Sequence, residues 1–524
     1  VNEQTRHAPR AWLRRAARTA ATAVLIAGFA LAGCSPLPQR SAAAREEALP
    51  VAQYGSLADF AGRIEAMLAP GESAHWLLDR NQSALTARLA LIDEAAVSLD
   101  LQYFIWQSDA SGHLVADRIL HAADRGVHVR ILMDDFGVAG RGGDVLKLDA
   151  HPNVEVRVFN PWARRGSRFH TATEFIARPV LNRRMHNKAF IADGRFAILG
   201  GRNIGDRYFG IYEPFVQNDL DVLVAGPAAR AVTDTFDAYW NSTHSYPIAL
   251  FASDRRPRQP VASTSDELHA SIETHAWVLE TFTIEPTDWS GYLEELVDTF
   301  APARAELLWE SPDITDPARP RLYEDFKSFV ASAQREVLIS SPYFIPDADF
   351  RALLRELGKR GVRIVIVTNS LATNNHVVAH TGYRRWRRDL LAAGAELYEL
   401  RADAKAIEWY VTPPAMAARL GLHTKAVVVD RERAFVGSPN VDPRSMELNT
   451  EVGLIGESRE FADRVAALIE RDIAPDNSWR VTMDEEGWLR WTSGDDVLRR
   501  QPAQGFLQRA VEFVLNLLPL KNQA

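Results

Sequence analysis

A chain of 524 residues with 47% hydrophobic and 24% charged residues has the make-up of a folded protein of two or three domains, which excludes a disordered or fibrous chain. Its 60 Lys and Arg stand against 68 Asp and Glu, a net charge of -8, and a body this acidic repels a polyanion at long range, so no nucleic-acid partner is expected. Cys34 is the single cysteine, which excludes an internal disulfide.

In chain order, Arg6, Arg10, Arg14, Arg15 and Arg18 come first, ahead of an apolar run from Ala20 to Ala32 that is short for a membrane span. Leu31-Ala-Gly-Cys34 follows. The pattern resembles a bacterial lipoprotein signal, which implies removal of residues 1–33, lipidation of Cys34 and a cell-envelope protein anchored at a membrane and facing the periplasm. Removal takes away five Arg and one Glu, moving the net charge from -8 to -12. Residues 34–74 read as a tether ending in a short helix around Leu57 to Leu68.

Residues 75–255 read as α/β. The spacing predicts a helix over Asn81 to Ala95, a strand over Val97 to Ile105, a helix over Leu114 to Ala123 and a strand over Val127 to Met133. Strands alternating with helices imply parallel pairing. Residues 256–304 form an inter-lobe segment, entered through the breaker-rich Ser253 to Pro260, with helical spacing but no recognisable chemistry. Residues 305–475 repeat the earlier order, with a helix over Phe326 to Ala333, a strand over Glu336 to Ile345, a helix over Phe350 to Arg360 and a strand over Gly361 to Val367. Residues 476–524 are an extension in which Trp479, Trp488 and Trp491 suggest short strands. An amphipathic helix over Gly505 to Leu520 carries Phe506, Ala510, Phe513 and Leu517 on one stripe, a pattern more usual for core packing than for membrane contact.

One pattern occurs twice. His186, Lys188 and Asp193 are followed by Gly200-Gly-Arg-Asn203; His423, Lys425 and Asp430 have the same offsets and are followed by Gly437-Ser-Pro-Asn440. Tyr103-Phe-Ile105 matches Tyr343-Phe-Ile345, 83 and 80 residues ahead of the respective His. The motifs thus sit on an internal duplication. In an extended chain His186 and Lys188 project to one side, as do His423 and Lys425, while the apolar Ala189 to Ala192 and Ala426 to Val429 suit strands buried on both faces.

These duplicated motifs resemble those of the phospholipase D superfamily. The resemblance implies an α/β fold of two pseudo-twofold-related phospholipase D-like lobes, each a mixed, mostly parallel sheet flanked by helices, with one active site at their interface. It implies catalytic roles for His186, Lys188, Asp193, His423, Lys425 and Asp430, and phosphate contacts from Lys188, Asn203, Lys425, Ser438 and Asn440. One imidazole would attack phosphorus while the other protonates the leaving oxygen, with neither metal nor cofactor. Glu451, 28 residues after His423, lies at the superfamily's offset for a His-orienting carboxylate; Asp221, 35 residues after His186, is its predicted counterpart. Glu451 is thereby expected to orient His423, and Asp221 to orient His186. Gly201 stands where the second half has Ser438, so that hydroxyl exists on one side only.

Gly200 to Phe209, Ser438 to Ser445, Leu99 to Trp106 and the C-terminal Leu-Leu-Pro-Leu make residues 75–524 similar to the bacterial C-type cardiolipin synthases. That branch implies phosphatidyl transfer at a membrane surface, with phosphatidylglycerol as acceptor and phosphatidylethanolamine as a possible donor. Hydrolysis of phospholipids to phosphatidic acid is the alternative, since water and a lipid alcohol are not distinguished by these residues. An idle envelope lipoprotein is disfavoured because both sets of His, Lys and Asn are intact. Thr373 to Arg388 is the most basic stretch, readable as a solvated helix face or a headgroup-gripping patch. His376 and His380 within it have no acidic or Cys partner pattern, and no metal is assigned to them.

Overall fold

The computed structural model describes residues 37–40, 46–138, 143–163, 174, 178–212, 214–251, 260–316, 319 and 321–516. The signal segment, Cys34 and the 252–259 linker lie outside them.

Each lobe contains three parallel strands. In the first, Ser98–Tyr103 pairs with His128–Asp134, which pairs with Val154–Phe159; in the second, Glu336–Ser340 pairs with Arg363–Asn369, which pairs with Ala395–Leu400. The connections include the helices Ala110–Asp124 and Ala348–Lys359, each N-capped by an aspartate side chain, Asp109 and Asp347. The motif strands then join antiparallel: Ala189–Ala192 on Ser98–Tyr103, and Ala426–Val429 on Glu336–Ser340. Both motif strands are wholly buried, as their unbroken apolar runs require. Phe196–Gly200 and Asp221–Ala225 extend the first sheet, and Arg433–Gly437 and Val452–Glu457 extend the second. Glu72–Leu78 and Ala301–Trp309 lie between these edges and pair with each other, so one sheet runs through both lobes. Each lobe's sheet is therefore mixed, and its antiparallel half carries the motif.

The segment before each motif His crosses to the other lobe. Leu420–Leu422 pairs in parallel with Val216–Asn218, and Met185 bridges to Thr450. The backbone N–H of His186 donates to Thr450 O at 2.9 Å and that of His423 donates to Asn218 O at 2.6 Å. Neither lobe completes its half of the site alone.

The inter-lobe residues fold as the helices Val261–Thr274 and Ser290–Thr299, and the extension as strands Ser478–Met483, Leu489–Ser493 and Asp496–Leu498. The last helix, Phe506–Asn516, departs from the core-packing expectation. Its polar side faces the protein: Glu512 is buried and takes two hydrogen bonds from Arg384 Nη1 at 2.7 and 2.9 Å, and Gln508 donates to Leu371 O at 2.7 Å. Phe506, Leu507, Val511, Phe513 and Val514 are exposed, Phe506 to 86%. Leu517 lies outside the described residues.

Candidate active site

The two imidazoles are held by carboxylates of the opposite lobe. His186 Nδ1 lies 2.8 Å from Glu451 Oε2, and His423 Nδ1 lies 2.5 Å from Asp219 Oδ2. All four side chains are buried. A carboxylate on Nδ1 selects the Nδ1–H tautomer and leaves Nε2 as the reactive nitrogen of each ring. Phe104 meets His186 edge-on at 5.1 Å between centroids, and Tyr208 meets His423 in the same way at 5.5 Å. These contacts limit how each ring can turn.

This geometry corrects the predicted carboxylate pair. Asp221 touches neither imidazole; it accepts from Arg88 Nη2 at 2.8 Å and from the Arg202 backbone N–H at 3.1 Å. The strand register gives the reason. Gly200 pairs with Asp221 where Gly437 pairs with Gly453, so Asp221 is equivalent to Gly453, and Asp219 is the equivalent of Glu451. Pairing is also crossed, because each carboxylate follows the segment that meets the other lobe's His.

Four further assignments change. Asp193 and Asp430 sit past the far ends of the motif strands, both with φ of 55°, a left-handed conformation Asp tolerates in tight turns. Asp193 accepts backbone N–H groups of Ala96, Val97 and Ser98 at 2.8 to 2.9 Å, and Asp430 those of Gln334, Arg335 and Glu336 at 2.7 to 2.9 Å. They fasten the start of each lobe's first parallel strand and are structural. Ser438 Oγ donates to Glu451 Oε2 at 2.5 Å and accepts from Val452 N–H at 3.0 Å, which uses the hydroxyl to fix the carboxylate instead of a phosphate. The Gly201 counterpart has the complementary reason: a Cβ there would stand 2.1 Å from Asp219 Oδ1. Asn203 is also committed, accepting from Ile105 N–H at 3.0 Å and donating to Tyr208 Oη at 3.1 Å, though its second amide hydrogen is not needed for these bonds. Asn440 differs, since its buried Oδ1 has no partner among the described residues.

Lys188 and Lys425 each reach back to the carbonyl of their own motif His. Both act electrostatically on both imidazoles, so the cations converge on one place. Burial is the main influence throughout. It brings His186 down to about 4 and His423 to about 3, with the facing carboxylates opposing and the lysines adding to the fall. Burial likewise lowers Lys188 to about 7 and Lys425 to about 8. For Glu451 and Asp219 burial pushes upward, but the imidazole and lysine beside each hold its carboxyl below the ordinary value.

Two carboxylates offset two lysines while both lysines are protonated, and neutral imidazoles add no charge, so the site is close to neutral below the lysine values and turns negative above them. An anion entering it raises the proton affinity of every base it meets. Binding of a phosphate mimic such as tungstate at pH 8 is therefore expected to take up about one proton per site, with affinity falling as pH rises through the lysine values. Calorimetry in buffers of different ionisation enthalpy measures this, and a binding heat independent of buffer would refute it.

With this geometry in view, the sequence comparisons are specific. Residues 89–240 and 326–473 match the family model described as cardiolipin synthase, PLD-like domain. The chain belongs to the phospholipase D family. It is an enzyme of that family's phosphatidyltransferase kind. It is 34% identical over 470 residues to cardiolipin synthase C of Escherichia coli (strain K12), covering 86% of this chain and 96% of that one. Cardiolipin synthase B of Shigella flexneri is 25% identical over 76% of this chain and 80% of its own. Among solved structures, phosphatidylserine synthase from Haemophilus influenzae Rd KW20 superposes with a TM-score of 0.54 at 14% identity, covering 87% of this chain and 96% of that one, which supports the fold alone.

Proposed function

We propose that the protein makes cardiolipin by phosphatidyl transfer through a phosphohistidine intermediate. His186 Nε2 attacks the phosphorus of a donor phospholipid, the bond from phosphorus to the headgroup oxygen breaks, and that oxygen takes from His423 Nε2 the proton that this imidazole gains when the anionic phosphate enters the site. In the second half, the hydroxyl of phosphatidylglycerol gives its proton to His423, its oxygen attacks phosphorus, and the P–N bond breaks to restore His186. Lys188, Lys425 and the Asn440 amide N–H would stabilise the non-bridging oxygens. The observation that carries transfer over hydrolysis is the likeness to cardiolipin synthase C along nearly that protein's whole length. Labelled phosphatidylglycerol, supplied with and without phosphatidylethanolamine, tests the reading: labelled cardiolipin supports it, and phosphatidic acid as the only product replaces it with a phospholipase D hydrolase. Strong chelation is expected to leave turnover intact, because in this reading Lys188, Lys425 and Asn440 take the part a divalent ion would otherwise play; loss with chelator and recovery with one specific ion would overturn this.

Membrane attachment belongs to the same proposal, through lipidated Cys34 and through the helix Phe506–Asn516. Among the described residues no helix is long and apolar enough to cross a membrane. The last helix instead turns a stripe of apolar side chains outward, opposite to what packing on a protein core requires. Arg385, Arg388, Arg499 and Arg500 are exposed on the neighbouring segments, complementary to lipid phosphates. Gln508 and Gln504 fasten the helix to Leu371 and Ala372, just beyond Asn369, whose side chain exchanges two hydrogen bonds with Leu422 beside His423. An acyl layer meeting this helix would lie close to the site. In protein carrying Cys34→Ser, the triple change Phe506→Asp, Leu507→Asp and Phe513→Asp is expected to weaken binding to anionic vesicles by at least about 10-fold while sparing turnover of a soluble short-chain substrate. Unchanged vesicle binding would remove the helix from the membrane contact.

A further inference from the structure

Away from the catalytic centre, Asp117, His121 and His269 come together between the helices Ala110–Asp124 and Val261–Thr274. Asp117 and His121 are one turn apart on the first helix, and His269 reaches in from the second. Asp117 Oδ2 is 3.5 Å from His121 Nε2, and Asp117 Oδ1 is 2.9 Å from His269 Nε2. One donor atom from each residue lies within 4.8 Å of the others. Asp117 is 4% exposed, and its Oδ1 has no hydrogen bond of acceptable geometry among the described residues despite the nearby imidazole.

A buried carboxylate needs a positive partner. Arg118 does not supply it directly: its guanidinium is committed to Asp93 and to the carbonyls of Thr283, Ile284 and Glu285. Arg118 still acts on Asp117 through space, while the carboxylate of Glu285 adds negative charge near it. The two imidazoles beside it are partly open to solvent and each turns a ring nitrogen toward the same carboxylate.

We propose that Asp117, His121 and His269 bind one divalent transition-metal ion of the zinc class, which fastens the inter-lobe helix to the first lobe. Two imidazole nitrogens and one carboxylate oxygen are the donor set such ions prefer, whereas magnesium and calcium favour oxygen alone. His121 is partly exposed and His269 exposed, so both are free to adjust to an ion by rotating about their side-chain bonds. Solvent or Glu285 would complete the coordination. On Val261–Thr274, Thr264, Leu268 and Ile272 are buried, and Lys147 and His113 meet Glu267 and Ser271, so a metal link adds to the contacts that hold that helix. The site is separate from the histidines of transfer, and the ion plays no part in the chemical step.

The test uses the full chain without an affinity tag, stripped with chelator and titrated with Zn2+, Co2+, Mg2+ or Ca2+. Zn2+ is expected to bind one per chain and to raise the melting temperature by a few degrees, with no comparable effect of Mg2+ or Ca2+. Co2+ should give the visible absorption of nitrogen-and-oxygen coordination. His121→Ala and His269→Ala lie at exposed positions and are expected each to weaken Zn2+ binding by at least about 10-fold and to remove the stabilisation, while turnover stays unchanged. Asp117→Asn should remove it as well. No binding, or binding and stabilisation equal in wild type and both histidine variants, overturns the proposal. If stability instead rises on acidification through the histidine range and is indifferent to Zn2+, the three residues form a protonated ion-pair clasp and the metal assignment is wrong.

Discussion

Replacing His186 by Ala is expected to reduce phosphatidyl transfer by roughly 10^4-fold or more and to leave no covalent phosphatidyl-enzyme with any donor. Replacing His423 by Ala should cost a similar factor with a natural phospholipid but much less with a p-nitrophenyl phosphodiester, whose leaving group needs no proton. That variant should therefore still accumulate the covalent intermediate. The asymmetry follows from the two nitrogens having different tasks in a site whose halves are otherwise alike. Trapping with labelled donor followed by peptide mass mapping reads it directly. Label on His423 would reverse the roles, and label on neither histidine would remove the covalent step.

How much of this was legible in the sequence differs between the motif and its support. The repeat of His186-x-Lys188 as His423-x-Lys425 identified the reactive groups because side-chain type and spacing are local properties. The antiparallel attachment of the motif strands was not legible, since the buried runs Ala189 to Ala192 and Ala426 to Val429 look alike in parallel and antiparallel neighbourhoods. Asp193 and Asp430 recur as faithfully as the histidines, yet they serve two equivalent turns, each satisfying three backbone N–H groups. A repeat reports equivalent positions and does not separate chemistry from support.

The carboxylates fail for a different reason. Asn218-Asp-Leu-Asp221 offers two acidic residues two positions apart, and the loops from the motif His to its lobe's carboxylate differ in length by five residues, so counting from the His favours neither. A usable signal was the alternation downstream: Leu220 and Val222 take the places of Val452 and Leu454, which puts Asp219 at the place of Glu451. The crossing of each carboxylate to the other lobe's His depends on contacts more than 200 residues apart in sequence, 265 for His186 with Glu451 and 204 for His423 with Asp219, and no local pattern encodes them.

Crossing gives the two orienting carboxylates separable effects. Asp219→Asn is expected to slow transfer from a natural phospholipid by roughly 10^2- to 10^4-fold, because an amide can present its N–H to Nδ1 and favour the wrong tautomer of His423. It should barely affect formation of the phosphatidyl-enzyme from a p-nitrophenyl donor, which bypasses His423. Glu451→Gln acts on His186 and should slow both donors by a comparable factor. Asp221→Asn weakens the links to Arg88 and Arg202 beneath the site, so its effect is expected chiefly in unfolding temperature. Measuring the three variants with the two donors separates the alternatives. A donor-dependent loss for Glu451→Gln together with a donor-independent loss for Asp221→Asn would restore the pairing within each lobe predicted from sequence spacing. A donor-dependent loss for Asp219→Asn alone follows only if Asp219 works through the histidine of the other lobe.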